Sequence, residues 1–291
     1  MKKKSDKANM KQGLWEYRKL VLKNFLSKKL VVLGFVITVV MALIAIFAPV
    51  IATYDPYEVD VVNRLSAPSI LHFFGTDQLG RDIFSRVIYG TRISMIVGLC
   101  TAAISFVIGI LLGLMAGYVK VLDNIIMRIC EAMGAIPPIL MAIALVSALG
   151  ASIQNVVLAL SIVYIPTIAR VTRASTLSIK EMTYIEAIQS QGAKWSRILF
   201  RHIAPNILSP VIVQTTYIFA SAIITEAALS FLGAGVPAPS PSLGNILYEA
   251  KSYIYNATWM TVFPSLFTVL IVLGLNLFGD GLRDIIDPMS N

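Results

Sequence analysis

Residues able to do chemistry are few in this chain, and their spacing argues against catalysis. The two histidines, His72 and His202, lie far apart, while Cys100 and Cys130 sit in or beside long apolar runs. The cysteines therefore read as small buried hydrophobes, and the histidines have no companions at metal-ligand spacing. No G-x-x-x-x-G-K-S/T phosphate loop is present, so the chain cannot hydrolyse ATP by that route. His-Glu-x-x-His, a Cys cluster and G-x-S-x-G are absent as well. The sequence predicts no catalytic residue, no metal and no cofactor.

Two carboxylates stand out because of where they lie. Glu131 and Glu226 border or interrupt long apolar runs, where a charge is costly and a functional role is the default reading. Glu131 follows Arg128 closely and reads as an interfacial residue. Glu226 lies past the middle of its run, and two roles stay open for it: lining a translocation path, or bonding a neighbouring helix.

The elements that must position these residues follow from composition. The 291 residues are 57% hydrophobic and only 14% charged, with a mean hydropathy of +0.77. A soluble chain of this size could not hide so much apolar surface. Disorder, a coiled coil and a disulfide-stapled domain are excluded too. The chain reads as an all-α integral membrane protein.

A crossing helix needs about 20 mostly apolar residues. Such runs cover Leu30–Ala52, Ile93–Val119, Asn206–Leu232 and Ala257–Gly279. The uncharged stretch Ala132–Ala169 is too long for one crossing and must fold back near the polar turn Gly150–Asn155, giving two more. Six transmembrane helices put both termini on one side. That side carries 19 Lys and Arg residues against five on the other, ten of them within the first 29 residues. Both termini are therefore expected in the cytoplasm. The net charge of +8 is an orientation signal helped by membrane lipid, with no nucleic acid implied. The organisation expected is a basic segment 1–29, a first span 30–52, an external segment 53–92, a five-helix core 93–283 and a tail 284–291. Within 53–92, Ile83, Phe84, Val87 and Ile88 share one helical face, with Arg81, Asp82, Ser85 and Arg86 opposite. This predicts an amphipathic helix at the membrane surface. Thr101, Ser105, Gly109, Gly113 and Gly117 recur every fourth position and allow another helix to approach closely.

The cytoplasmic loop 170–206 is the most informative stretch. Thr183 and Glu186 have capping-box spacing, predicting a helix from Thr183 that ends at Gly192. Trp195, Ile198, Leu199 and His202 then fall on one helical face, with Lys194, Arg197 and Arg201 elsewhere. The expectation is a helix–Gly–helix hairpin whose apolar stripe points outward, onto a partner's groove or onto lipid headgroups.

Glu186-Ala187-Ile188, then Gly192, then Ile203-Ala204-Pro205 resembles the "EAA" loop of permease subunits in bacterial ABC importers. Ile188 and Ala204 depart from the commonest residues but stay small or apolar. Phe74–Asp82 with Ser85-Arg86 and Tyr89–Arg92, Glu226–Gly233, Pro239–Gly244 and Asp287-Pro288 resemble the second permease of dipeptide, oligopeptide and nickel importers. The resemblance implies a type I importer permease fold in the bacterial cytoplasmic (inner) membrane. Its implied partners are a homologous second permease, two ATPase subunits and an extracytoplasmic substrate-binding protein. It also implies that Glu186, Ala187, Gly192, Trp195, Ile198, Leu199, Ile203 and Pro205 form the loop that couples to the ATPase. Di- or oligopeptides lead as substrate, with nickel, a metal chelate or glutathione as alternatives. A stand-alone secondary transporter using Glu226 ranks behind, because six spans lack the inverted repeats common in such folds.

Overall fold

The computed structural model describes residues 27–286, so Asp287-Pro288 and most of the basic segment 1–29 lie outside the described residues. Among the described residues the regular elements are helical, apart from one isolated bridge between Thr76 and Asp82. In chain order they are α1 (Lys29–Ile46), the one-turn α2 (Ala48–Ile51), α3 (Ile83–Tyr118), α4 (Lys120–Gly134), α5 (Pro138–Leu149) and α6 (Ile153–Lys180). There follow α7 (Thr183–Ser190), α8 (Trp195–Arg197), a π-helical turn (Ile198–Ile203), α9 (Ala204–Phe231), α10 (Leu243–Ala250) and α11 (Trp259–Ile286).

Five stretches are long and apolar enough to cross a membrane: α1, α3, α6, α8 through α9, and α11. The pair α4–α5, bent by 95° at its break, makes a sixth if the two helices cross as one span. This pair departs from the expected boundaries of the third span. It begins at Lys120, well before Ala132, and so carries Asp123, Arg128 and Glu131 on its first half. Pro137 breaks it, because the residue before Pro138 is pushed out of the helical region, here to φ −54°, ψ 131°. The predicted fold-back is present. Gly150 takes φ 89°, and the Ser152 hydroxyl caps α6 by accepting from the Asn155 N–H at 3.1 Å.

The amphipathic surface helix predicted at 81–88 is corrected as well. Asp82 caps α3 by accepting from the Ser85 N–H at 2.8 Å, and the helix then runs unbroken for 36 residues to Tyr118. Its first turns are buried on both faces: Ile83, Val87 and Ile88 on the apolar side, Ser85 and Arg86 on the polar one. The polar face meets protein rather than water.

Small residues at every fourth position of α3 set the most extensive helix pairing in the bundle. A Cβ at Gly109 would stand 2.5 Å from the Ile168 Cβ, and one at Gly113 would stand 2.4 Å from the Thr172 Cβ. Helix α6 is therefore drawn against the α3 backbone along two turns. Higher up the same seam, the Ser105 hydroxyl donates to the Ser161 carbonyl at 3.2 Å. On the far side of the bundle, α1 packs along α11, and the Lys28–Asp284 pair closes that contact at 2.7 Å.

Gly113→Val should overpack the seam, at a cost of about 1–3 kcal/mol. The expected result is a lower unfolding temperature in detergent. Leu111→Val, on the exposed side of the same helix, should leave that temperature nearly unchanged.

Candidate functional site

The loop between α6 and α9 is shaped by its backbone. Met182, not Thr183, stands at the N-cap of α7, and no side chain caps that end. The predicted capping box is therefore absent: Thr183 already lies within the first turn, and Glu186 is left exposed, free of that role. At the other end Gly192 adopts φ 77°, a left-handed conformation that L side chains resist. Its N–H donates to the Gln189 carbonyl at 2.9 Å and the Ala193 N–H to the Ile188 carbonyl at 3.3 Å. This is a Schellman ending, and it reverses the chain.

The residues after Gly192 do not form a free-standing second helix. Through α8 and the π-helical turn they run directly into α9, as the first turns of that span. The outward stripe predicted there is consequently divided. Ile198 and Leu199 are buried, together with Ile203, in a cluster with Leu114 of α3, Ile179 of α6, Ile185 of α7 and Ile207 of α9. Their direction is set by the continuation into α9, which turns this face inward onto the bundle. Trp195 remains 57% exposed, joined at the surface by Phe200, Met182 and Tyr184. Glu186, Ala187, Gly192 and Pro205 are exposed too. The loop thus presents a polar and aromatic outer side over an aliphatic underside seated on three spans.

Glu226 is fully buried within the chain. The Ser94 hydroxyl of α3 donates to its Oε2 at 2.7 Å and the Ser230 hydroxyl to its Oε1 at 2.8 Å. Ser242, the N-cap of α10, lies 3.3 Å from Ser230, and the Leu243 N–H reaches the Ser94 hydroxyl. The carboxylate therefore ties α3, α9 and α10 together. Of the two roles left open for it, the bond to a neighbouring helix is present.

A second cluster escaped the sequence reading. Arg81 donates from Nε to Asp77 at 2.6 Å and from Nη2 to Glu249 of α10 at 2.6 Å. Arg86, fully buried, reaches the same Glu249 oxygen at 3.0 Å and the Pro56 carbonyl at 3.3 Å. Two arginines face two carboxylates, so the cluster is neutral and can tolerate burial. Beside it, His72 Nδ1 lies 2.9 Å from the Asp82 carboxylate. The spacing of Asp77, Arg81 and Arg86 hinted at an ion pair, but Glu249 is too distant in sequence to have been linked to them.

Comparison with known proteins agrees with this architecture. Residues 105–290 match the family described as binding-protein-dependent transport system inner membrane component, and residues 16–68 match the N-terminal TM domain of oligopeptide transport permease C. The chain belongs to this permease family. It is 45% identical to the dipeptide transport system permease protein DppC of Alkalihalophilus pseudofirmus over 91% of this chain and 88% of that one. It is 44% identical to the glutathione transport system permease protein GsiD of Pectobacterium atrosepticum, over 91% and 89%. The probable D,D-dipeptide transport system permease protein DdpC of Escherichia coli is 42% identical over 90% and 88%. In fold it is similar to a chain of the MetNI methionine ABC transporter in an inward-facing conformation, with a TM-score of 0.59 at 22% identity over 70% of this chain and 98% of that one. The protein is a multi-pass inner-membrane permease of an ABC importer. Hydrolysis of ATP belongs to partner ATPase subunits.

The buried charge cluster gives the permease a specific vulnerability. Glu249→Leu leaves Arg86 enclosed with half its pairing gone, a change of the kind that costs about 3–5 kcal/mol. We expect limited proteolysis to cut the segment 53–82 readily in this variant. Arg64→Ala, at an exposed position of the same segment, should be cut no faster than wild type.

Proposed function

We propose that this permease imports di- or oligopeptides. In this reading it pairs with a homologous second permease, receives substrate from an extracytoplasmic binding protein and is driven by two ATPase subunits. Peptides are favoured because relatives alike over nine-tenths of the chain carry dipeptide or D,D-dipeptide transport in their names, and the glutathione of a third is itself a small peptide. The excess of basic residues on one side supports cytoplasmic termini, which would put the α6–α9 loop on the ATPase side.

The observation that carries the coupling role is the two-sided loop. Trp195 and Phe200 stand outward as aromatic anchors, while Ile198 and Leu199 are sunk among residues of α3, α6, α7 and α9. Pressure on the outer side would be delivered through close-packed aliphatic contacts to three spans at once. Gly192 fixes the angle between the two arms, and Glu186 and Ala187 lie on the exposed side of the first arm, available to a partner.

Two substitutions test this. Trp195→Ala removes an exposed anchor and should weaken ATPase association, as truncation of a buried interface aromatic costs about 2 kcal/mol or more. Gly192→Val meets no steric obstacle, since no atom lies within 4 Å of its Cβ, but it opposes the positive φ at about 1–2 kcal/mol and re-aims the arm. In proteoliposomes holding the complete importer, both variants should take up labelled dipeptide slowly while binding-protein loading stays normal. Wild-type uptake by both would overturn the coupling role. Failure of the wild-type importer to take up any di- or oligopeptide would overturn the substrate.

A further inference from the structure

One face of α9 is not used by the packing described so far. Its opposite face buries Val211 and Ile218 against Ala102 and Ile168. Ser209, Val213, Gln214 and Tyr217, by contrast, line a cavity of about 510 Å3 between α6 and α11, with Val171 on the α6 side and Arg283 on the α11 side. Pockets of this size lie within the range that holds small-molecule ligands, roughly 300–1,000 Å3.

Two polar side chains of this cavity lack partners. Neighbouring Thr215 and Thr216 satisfy their hydroxyls by donating to the Val211 and Ile212 carbonyls of their own helix, at 2.7 and 3.1 Å. Ser209 and Gln214 make no hydrogen bond to any described residue. A primary amide facing hydrocarbon without a partner is costly. Its presence there indicates that the cavity is wet and open to polar solutes. Arg283 makes no ion pair among the described residues and lies beside the Tyr217 hydroxyl, which itself donates to Asp280 at 2.5 Å. The cavity therefore offers a cationic fork beside Tyr217 and, along α9 toward the α6–α9 loop, an amide and a hydroxyl.

We propose that this cavity is a binding site for the transported peptide, with Arg283 pairing its terminal carboxylate and Gln214 and Ser209 bonding its amide. A planar guanidinium suits a carboxylate, and an amide side chain offers both donor and acceptor to a peptide group. An anionic lipid headgroup shares the first chemistry only. Its phosphate would leave the Gln214 amide without the paired donor and acceptor that a peptide group supplies. The site deepens the peptide-import reading and rests on it.

The test uses the complete, nucleotide-free importer in proteoliposomes, without binding protein, in a Cys100→Ala, Cys130→Ala background. Ser209→Cys and, separately, Val213→Cys are treated with a charged thiol reagent while dialanine, dialanine amide or neither is present. Both cysteines should react, and dialanine at ten times its dissociation constant should slow labelling about tenfold. The amide, which lacks the carboxylate, should protect roughly tenfold more weakly, and Arg283→Gln should bring dialanine down to that level. Cysteines that ignore the charged reagent would place this face against lipid and overturn the site. So would labelling that dialanine leaves unchanged, or protection that appears only with anionic lipid and without peptide. Uptake of labelled dialanine by the wild-type importer is measured in the same vesicles. Uptake without protection sinks this site alone, whereas absence of uptake sinks the substrate reading beneath it.

Discussion

The close approach of α3 and α6 is the contact on which the other parts of the permease hang. Helix α3 is 36 residues long, and three different tasks fall along it. Its first turns hold Arg86 in the charge cluster, its middle presents glycines to Ile168 and Thr172, and Leu114 near its end joins the cluster beneath the α6–α9 loop. Any larger residue in the middle would push α6 away and, with it, the other wall of the loop's seat. Tertiary packing along its length, on α10 and α11 at its first turns and on α6 beyond them, makes it a single rod.

Charge is handled by enclosure. At the first turns of α3, two arginines and two carboxylates neutralise each other between the segment 53–82 and α10, so this long connection is held as a fixed cap. Glu226 solves a similar problem without a cation: hydroxyls from Ser94 and Ser230 bond its oxygens, and the cost of burying it is met by three elements converging on it. Both clusters fasten α10 to α3. This end of the bundle therefore behaves as one body with the rod that reaches the α6–α9 loop.

Much of this was legible in the residues. The apolar runs gave the spans because hydrocarbon thickness sets helix length, and the four-residue repeat of small side chains gave the α3–α6 seam because it reports on backbone approach. Gly192 could be read as a helix stop because few other residues tolerate its conformation. What could not be read depended on partners far away in the chain. The polar face at Arg81–Arg86 looked solvated until Glu249, on a helix more than 150 residues later, came to meet it. Thr183 had the spacing of a cap, yet the chain enters α7 one residue earlier, at Met182. The stripe of Trp195, Ile198 and Leu199 has one periodicity but two fates. Periodicity shows which residues share a face; it does not show that the segment continues into α9 and turns most of that face inward.

If the loop and the rod form one body, the distance between them should survive the transport cycle. Spin labels at Phe200→Cys on the loop and Leu99→Cys on α3, both at exposed positions, measure it directly by pulsed electron resonance in a Cys100→Ala, Cys130→Ala background. The distance should be the same in nucleotide-free and ATP-trapped importer, while the distance between the permease loop and the loop of its partner permease changes. A loop-to-rod distance that shifts on trapping ATP would mean that the loop moves by itself, and that its buried aliphatic seat does not carry the motion to the spans.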